Sequence, residues 1–144
     1  MKLLRSLRRD ERGVAVIEIA IVLPVLILFI YGIFQIGILY QANAGMQHAL
    51  GEGARYATLC RPVTGGCNVA TNAEITAKMN AAVFGTKPGT FTIPAPSTTN
   101  RVMTLKVNYV QPMSFIFFPG PTVTLTRQKK VYLPPAPPPP PAVT

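Results

Sequence analysis

Acid is scarce in this chain. Five acidic side chains stand against 14 Lys and Arg among 144 residues, and only Glu52 and Glu74 lie beyond residue 40. Histidine is scarcer still, with His48 alone, and there are two cysteines. These leave no serine–histidine–acid set, no glycine-rich phosphate loop and no cluster of metal ligands, so the chain is not expected to be an enzyme, and no cofactor or metal is expected. His48 falls on a polar helical face and reads as solvated. The net charge of +9 raises the question of nucleic acid. No RNP-like or zinc-finger pattern goes with it, so nucleic acid is not an expected partner.

The positive charge is unevenly placed. Lys2, Arg5, Arg8, Arg9 and Arg12 precede Gly13, and the remaining nine basic residues are spread from Arg55 to Lys130. The first group abuts an apolar run in which Glu18 is the only charged side chain up to Phe34, and apolar character continues to Tyr40. A dense basic leader before such a run is a membrane-flanking pattern. Residues 14–40 make a helix of about 40 Å at 1.5 Å per residue. That exceeds the roughly 30 Å hydrocarbon core, so the helix spans and protrudes. The leader, residues 1–13, places the N-terminus in the cytoplasm and the rest outside. Pro24 sits inside the run, where a membrane helix tolerates it as a local kink. Gly32 and Gly37 are five apart, so the small-xxx-small pairing motif is absent.

A secretory signal peptide is the competing reading, with "ANA" at 42–44 as its cleavage pattern. The apolar run is far longer than the usual signal core of about 7–15 residues, and such a core has no use for a glutamate at its start. Arg8-Arg9 is followed by "DERG" rather than apolar residues, which argues against a twin-arginine signal.

Glu18 needs a task, because a carboxylate in lipid is costly. A basic leader, a glycine, then an apolar helix with glutamate at its fifth position resembles the processing site of type IV pilin-like proteins. Cleavage after Gly13 leaves Val14 with a new α-amine, protonated at neutral pH. That amine, buried in a bilayer or filament, needs a counter-charge, and a glutamate one turn along supplies it to its own chain or a neighbour's. The plainer alternative is that Glu18 sits at the headgroup boundary and favours the helix N-terminus.

More of the segment points to one family. Arg12-Gly13, Glu18, the "VLP" of Val22 to Pro24, Gly32, Gly37 and the "ARYA" of Ala54 to Ala57 make residues 12–58 resemble the N-terminal region of TadE-like proteins. The resemblance implies a minor pseudopilin of the tight-adherence (Flp-type) pilus system, single-pass in a bacterial inner membrane. It implies a prepilin peptidase that cuts between Gly13 and Val14, with Glu18 as the recognition and assembly residue. It also implies other pilins, pseudopilins and inner-membrane assembly proteins as partners beside membrane lipid. In the system's major pilins a tyrosine follows the glutamate. Here Ile19 follows, which fits a minor component. Extraction energy has to come from a separate ATPase. The alternative is an uncleaved, membrane-anchored scaffold or binding module, and the third reading is a secreted domain.

Residues 41–58 continue the helix. Ala42, Met46, Ala49, Gly53 and Ala57 recur every three or four positions, which defines a small-sided packing face. Glu52 and Arg55 are one turn apart and are expected to pair. A small α+β domain follows over 59–133. Cys60 and Cys67 flank "RPVTGG" on the outer side of the membrane, which points to a local disulfide. Zinc would need further ligands, and redox catalysis a closer cysteine pair. "TNAEITAKMNAAVFG" opens with a Thr71-x-x-Glu74 capping box, carries an Ile75, Met79, Val83 stripe and stops at Gly85. Residues 90–93, 101–110 and 121–133 carry strand patterns and predict an antiparallel sheet of about three strands. Phe115 to Phe118 read as core or strand, with a dip into the outer leaflet or a contact with another pilus component left open. Residues 134–144 form a Pro-rich tail of polyproline II character.

Overall fold

A computed structural model describes residues 11–63, 66–85, 87–115 and 118–133. Most of the basic leader and the proline tail therefore lie outside the described residues. The chain is α+β: one long helix, one short helix, a two-stranded ribbon and a larger antiparallel sheet. Helix α1 runs from Glu11 to Thr58, 48 residues. At 1.5 Å per residue it is about 72 Å long. It is continuous through Pro24.

The two halves of α1 live in different surroundings. Every residue from Gly13 to Ile27 is exposed. Further along, Ala42, Met46, Ala49, Leu50, Gly53, Ala54 and Ala57 are buried. The small-sided face expected from spacing is thus the face that meets the rest of the fold. Its smallness has a reason at Gly45, where a Cβ would run into the Phe84 carbonyl. The backbone after the second helix lies directly against α1 at that point.

Strands β1 (Cys60–Val63) and β2 (Gly66–Val69) form a short antiparallel ribbon where the sequence reads as a loop. Helix α2 (Asn72–Ala82) carries the expected capping box. The Thr71 hydroxyl accepts from the Glu74 N–H, and the Glu74 carboxylate accepts from the Thr71 N–H at 2.8 Å. Ile75 and Met79 are fully buried, and Val83 is half-buried. The helix ends at Ala82, three residues before Gly85, whose φ of 72° turns the connection.

Strands β3 (Thr90–Thr92) and β4 (Ser97–Thr99) both pair with β5 (Val102–Phe115), and β6 (Phe118–Tyr132) pairs along the whole length of β5. A strand has two edges. With β6 on one edge of β5, β3 and β4 share the other in tandem. The sheet is three strands wide, as its alternation predicts, and one edge is split in two. Met103, Leu105, Val107 and Tyr109 point inward and are buried, as the two-residue period requires. They pack against the buried face of α1 and against Ile75 and Met79 of α2.

Phe115 and Phe118 are strand residues but not core. They end β5 and begin β6 as a cross-strand pair, with ring centroids 4.9 Å apart, and Phe118 is 51% exposed. Ile116 and Phe117 lie outside the described residues.

Candidate functional site

Two regions of α1 carry the groups with chemical consequence: its first turns and the stretch from Leu28 to Ile36. In the first, Gly13 and Val14 are exposed, and a Cβ on Gly13 would meet nothing within 4 Å. Glu18 lies four residues past Val14, one turn along on the same side of the helix. Glu18 is exposed, and among the described residues it has no hydrogen-bond or ion-pair partner. Around it stand Val16, Ile17, Ile19, Ile21 and Val22, each more than half exposed. An apolar surface of this extent is rare on monomers in water. The segment is long and apolar enough to cross a membrane. A carboxylate about 6 Å along from Val14 is then held near one boundary, where a cation can reach it. The structure places Val14 and Glu18 one turn apart on the same side of the helix, with Gly13 immediately before Val14. Pro24 lies in the same helix, away from that turn.

In the second region the apolar run carries an amide, Gln35, which is only 5% exposed. Its Nε2 donates to the Ser114 carbonyl at 3.1 Å and to the Tyr31 hydroxyl at 3.2 Å. Its Oε1 accepts from Gln111 Nε2 at 3.0 Å, and Gln111 Oε1 accepts from the Tyr109 hydroxyl at 2.9 Å. Gln111 is fully buried. This chain of four side chains ties the far end of the β5–β6 hairpin to the helix. Burial holds the Tyr109 hydroxyl above its ordinary pKa of 10.0. Sequence reasoning missed the node. An amide inside an apolar helix was a usable signal, since it must find a partner when water is absent.

Beyond the node, the hairpin tip runs beside the helix. Met113 and Phe115 face Leu28, Phe29, Gly32 and Ile33 across an open apolar groove of about 470 Å³.

One expectation about polar residues is extended and one corrected. His48 is exposed, as expected, and in addition its Nδ1 donates to the Ala82 carbonyl at 3.0 Å, and its ring lies 5.6 Å from that of Phe84. It satisfies one of the carbonyls that α2 leaves open at its end. Glu52 and Arg55 do not pair; among the described residues the ion pair is Arg61–Glu74, at 2.9 Å. Arg61 also donates to the Tyr56 hydroxyl at 2.8 Å and lies over its ring. The Thr71 N–H, then Arg61 and the Thr71 hydroxyl, lower the Glu74 pKa to about 2. These groups join α1, β1 and α2 at the surface and have the geometry of a structural clasp.

Cys60 opens β1 and is not a free thiol. Cys67 lies in β2, opposite Pro62 in the register.

The family model described as TadE-like protein matches residues 13–55. Those residues begin at the glycine before Val14 and end within the buried face of α1. The match links the chain to tight-adherence pilus systems. No curated protein and no solved structure matches the chain.

Proposed function

We propose that the chain is a non-catalytic minor pseudopilin that takes part in assembling a tight-adherence (Flp-type) pilus. The observation that carries this reading is the TadE-like match lying on a helix that is exposed at every residue from Gly13 to Ile27 and apolar there apart from Glu18. A helix of that kind must be covered, first by lipid and then by other helices. In this reading the N-terminus is cytoplasmic and the domain lies outside the inner membrane. A prepilin peptidase cuts between Gly13 and Val14. The new ammonium of a neighbouring subunit pairs with Glu18 as the helices pack, which removes the cost of an unpaired carboxylate in oil. Partner pilins and inner-membrane assembly proteins receive the subunit, and a separate ATPase drives extraction.

A disulfide between Cys60 and Cys67 belongs to the same proposal. Positions 60 and 62 share one side of the ribbon, and 62 opposes 67, so the two cysteine positions share a face. Such a bridge survives only in an oxidising compartment.

The second reading, an uncleaved anchored scaffold, is favoured by one observation. The described helix includes Glu11 to Val14, so the bond after Gly13 lies in helical backbone. A peptidase has to unwind that turn before it can cut.

Mass spectrometry of the protein from its native membranes decides between them. A mature N-terminus at Val14 supports processing. Met1 supports the anchor, and Gly45 supports release by signal peptidase. In the processed case, Glu18→Ala is expected to insert normally and to impair piliation. Normal piliation in that variant would remove the role assigned to the carboxylate.

A further inference from the structure

The β5–β6 hairpin reaches down the helix well past the buried core. Measured from Val14 at 1.5 Å per residue, Leu28 stands about 21 Å along α1 and Ile33 about 28 Å. Both values fall within a hydrocarbon layer of about 30 Å. Met113 and Phe115 face these residues across the groove. Gln35, at about 31 Å, stands at the layer's far boundary.

We propose that the tip of this hairpin, presented by Met113, Phe115 and Phe118, is a membrane foot that inserts into the leaflet nearest the domain, with lipid acyl chains filling the groove between it and α1. The inference rests on α1 spanning a bilayer and does not depend on the pilus reading.

Four observations select lipid as the occupant. The apolar surface is continuous: Phe29 and Ile33, 67% and 57% exposed on the helix, share the groove with Phe115, which stacks on Phe118. Among the described residues beside the tip, strand pairing and prolines remove several backbone donors, which lowers the cost of placing them in oil. Phe115 pairs with Phe118 and Ser114 with Pro119, while Pro112, Pro119 and Pro121 have no N–H to satisfy. The Ser114 carbonyl is taken by Gln35, so hairpin and helix satisfy each other's polar groups at the depth where water runs out. Finally, Lys87 lines the opposite flank of the hairpin beside Tyr31 and Ile38. Ile38 lies about 36 Å from Val14, in the headgroup layer, where an exposed ammonium meets lipid phosphates.

The chain has no tryptophan, so a single introduced one reports its own surroundings. Three variants of the full chain are reconstituted in phosphatidylcholine–phosphatidylglycerol vesicles: Phe118→Trp at the foot, Tyr132→Trp at the opposite end of β6, and Ile21→Trp within the span. The foot variant is expected to emit at shorter wavelength than Tyr132→Trp. It should lose emission in vesicles of brominated lipid and resist acrylamide in water, and Tyr132→Trp should behave in the reverse way. Quenching of Phe118→Trp by acrylamide as strong as that of Tyr132→Trp would overturn the proposal. So would shielding from both quenchers, because that places another protein copy on the foot. If Ile21→Trp is not quenched by brominated lipid, the spanning premise fails, and the foot fails with it.

Discussion

Glu74 shows how one side chain can hold three elements. Its carboxylate caps the start of α2 through Thr71 and meets Arg61 of β1, which in turn donates to Tyr56 of α1. These bonds hold its pKa at about 2, below the ordinary 4.5. The folded state therefore binds the proton more weakly than the unfolded state. Stability from this group is fully present above pH 4.5 and is lost as pH falls toward 2. Glu74 and Arg61 are each about two-fifths exposed, so solvent screens the pair and the effect is modest. Glu74→Gln is expected to make the fall in melting temperature between pH 4.5 and pH 2 shallower than in the wild type, followed by circular dichroism of the full chain in detergent. Arg61→Ala should flatten it only in part, because the largest cause of the low pKa is the Thr71 N–H. Equal slopes in all three proteins would show that the acid sensitivity comes from elsewhere. The capping box was legible as a Thr-x-x-Glu spacing. Arg61 was not, since its partner lies 13 residues away and only the β1–β2 ribbon brings it there.

At the scale of elements, α1 and the backbone after α2 meet through glycine. Alanine is a better helix former than glycine by about 0.8–1.0 kcal/mol, so Gly→Ala in α1 should stabilise wherever there is room. At Gly51 there is room, since nothing lies within 4 Å of a Cβ. At Gly45 there is none, because the obstacle is the Phe84 backbone carbonyl rather than a flexible side chain. Gly51→Ala is therefore expected to raise the urea midpoint, with a gain in stability of up to about 1 kcal/mol. Gly45→Ala should lower the midpoint, with a loss of stability of about 1–3 kcal/mol through overpacking. Midpoints that move in the same direction for both variants would contradict the close approach. The helix and its buried face were readable because 3.6-residue periodicity is a local signal. The same holds for β5, whose inward residues alternate without a break from Met103 to Tyr109. Strand β4 was not readable. It is three residues long, and its turn into β5 is Asn100-Arg101, both at positive φ, where an Asn-Gly pair would have signalled a hairpin. The β1–β2 ribbon was hidden for a similar reason, because Pro62 within β1 argues against a strand.

On the scale of the molecule, one helix serves two environments, and the question is where the folded domain begins. Composition places a change near Tyr40, where the apolar run ends. The hydrogen bonds reach further back, to Gln35 and Tyr31. Gln35 within the apolar run signals that a partner is needed, but no local pattern names it, because Gln111 lies 76 residues away. Gly13 and Glu18, by contrast, were legible as a site because their meaning lies in spacing along one helix. The reach of the domain has a measurable consequence. A fragment of residues 31–133 keeps Gln35 and Leu39 against the sheet, whereas residues 41–133 lack both. In the shorter fragment Gln111 and the Ser114 carbonyl lose their partner, and part of the apolar surface under Leu39 is uncovered. A lost buried partner costs about 1–3 kcal/mol, and ordering ten further helical residues works against the longer fragment. Those ten residues also propagate an existing helix, which is far less costly than nucleating one. The longer fragment is therefore expected to unfold at higher urea concentration in detergent, with a stability advantage of about 1–3 kcal/mol. Coincident transitions would mean that the hairpin gains nothing from the helix below residue 41. The contact between Gln35 and β5 would then be incidental to the fold.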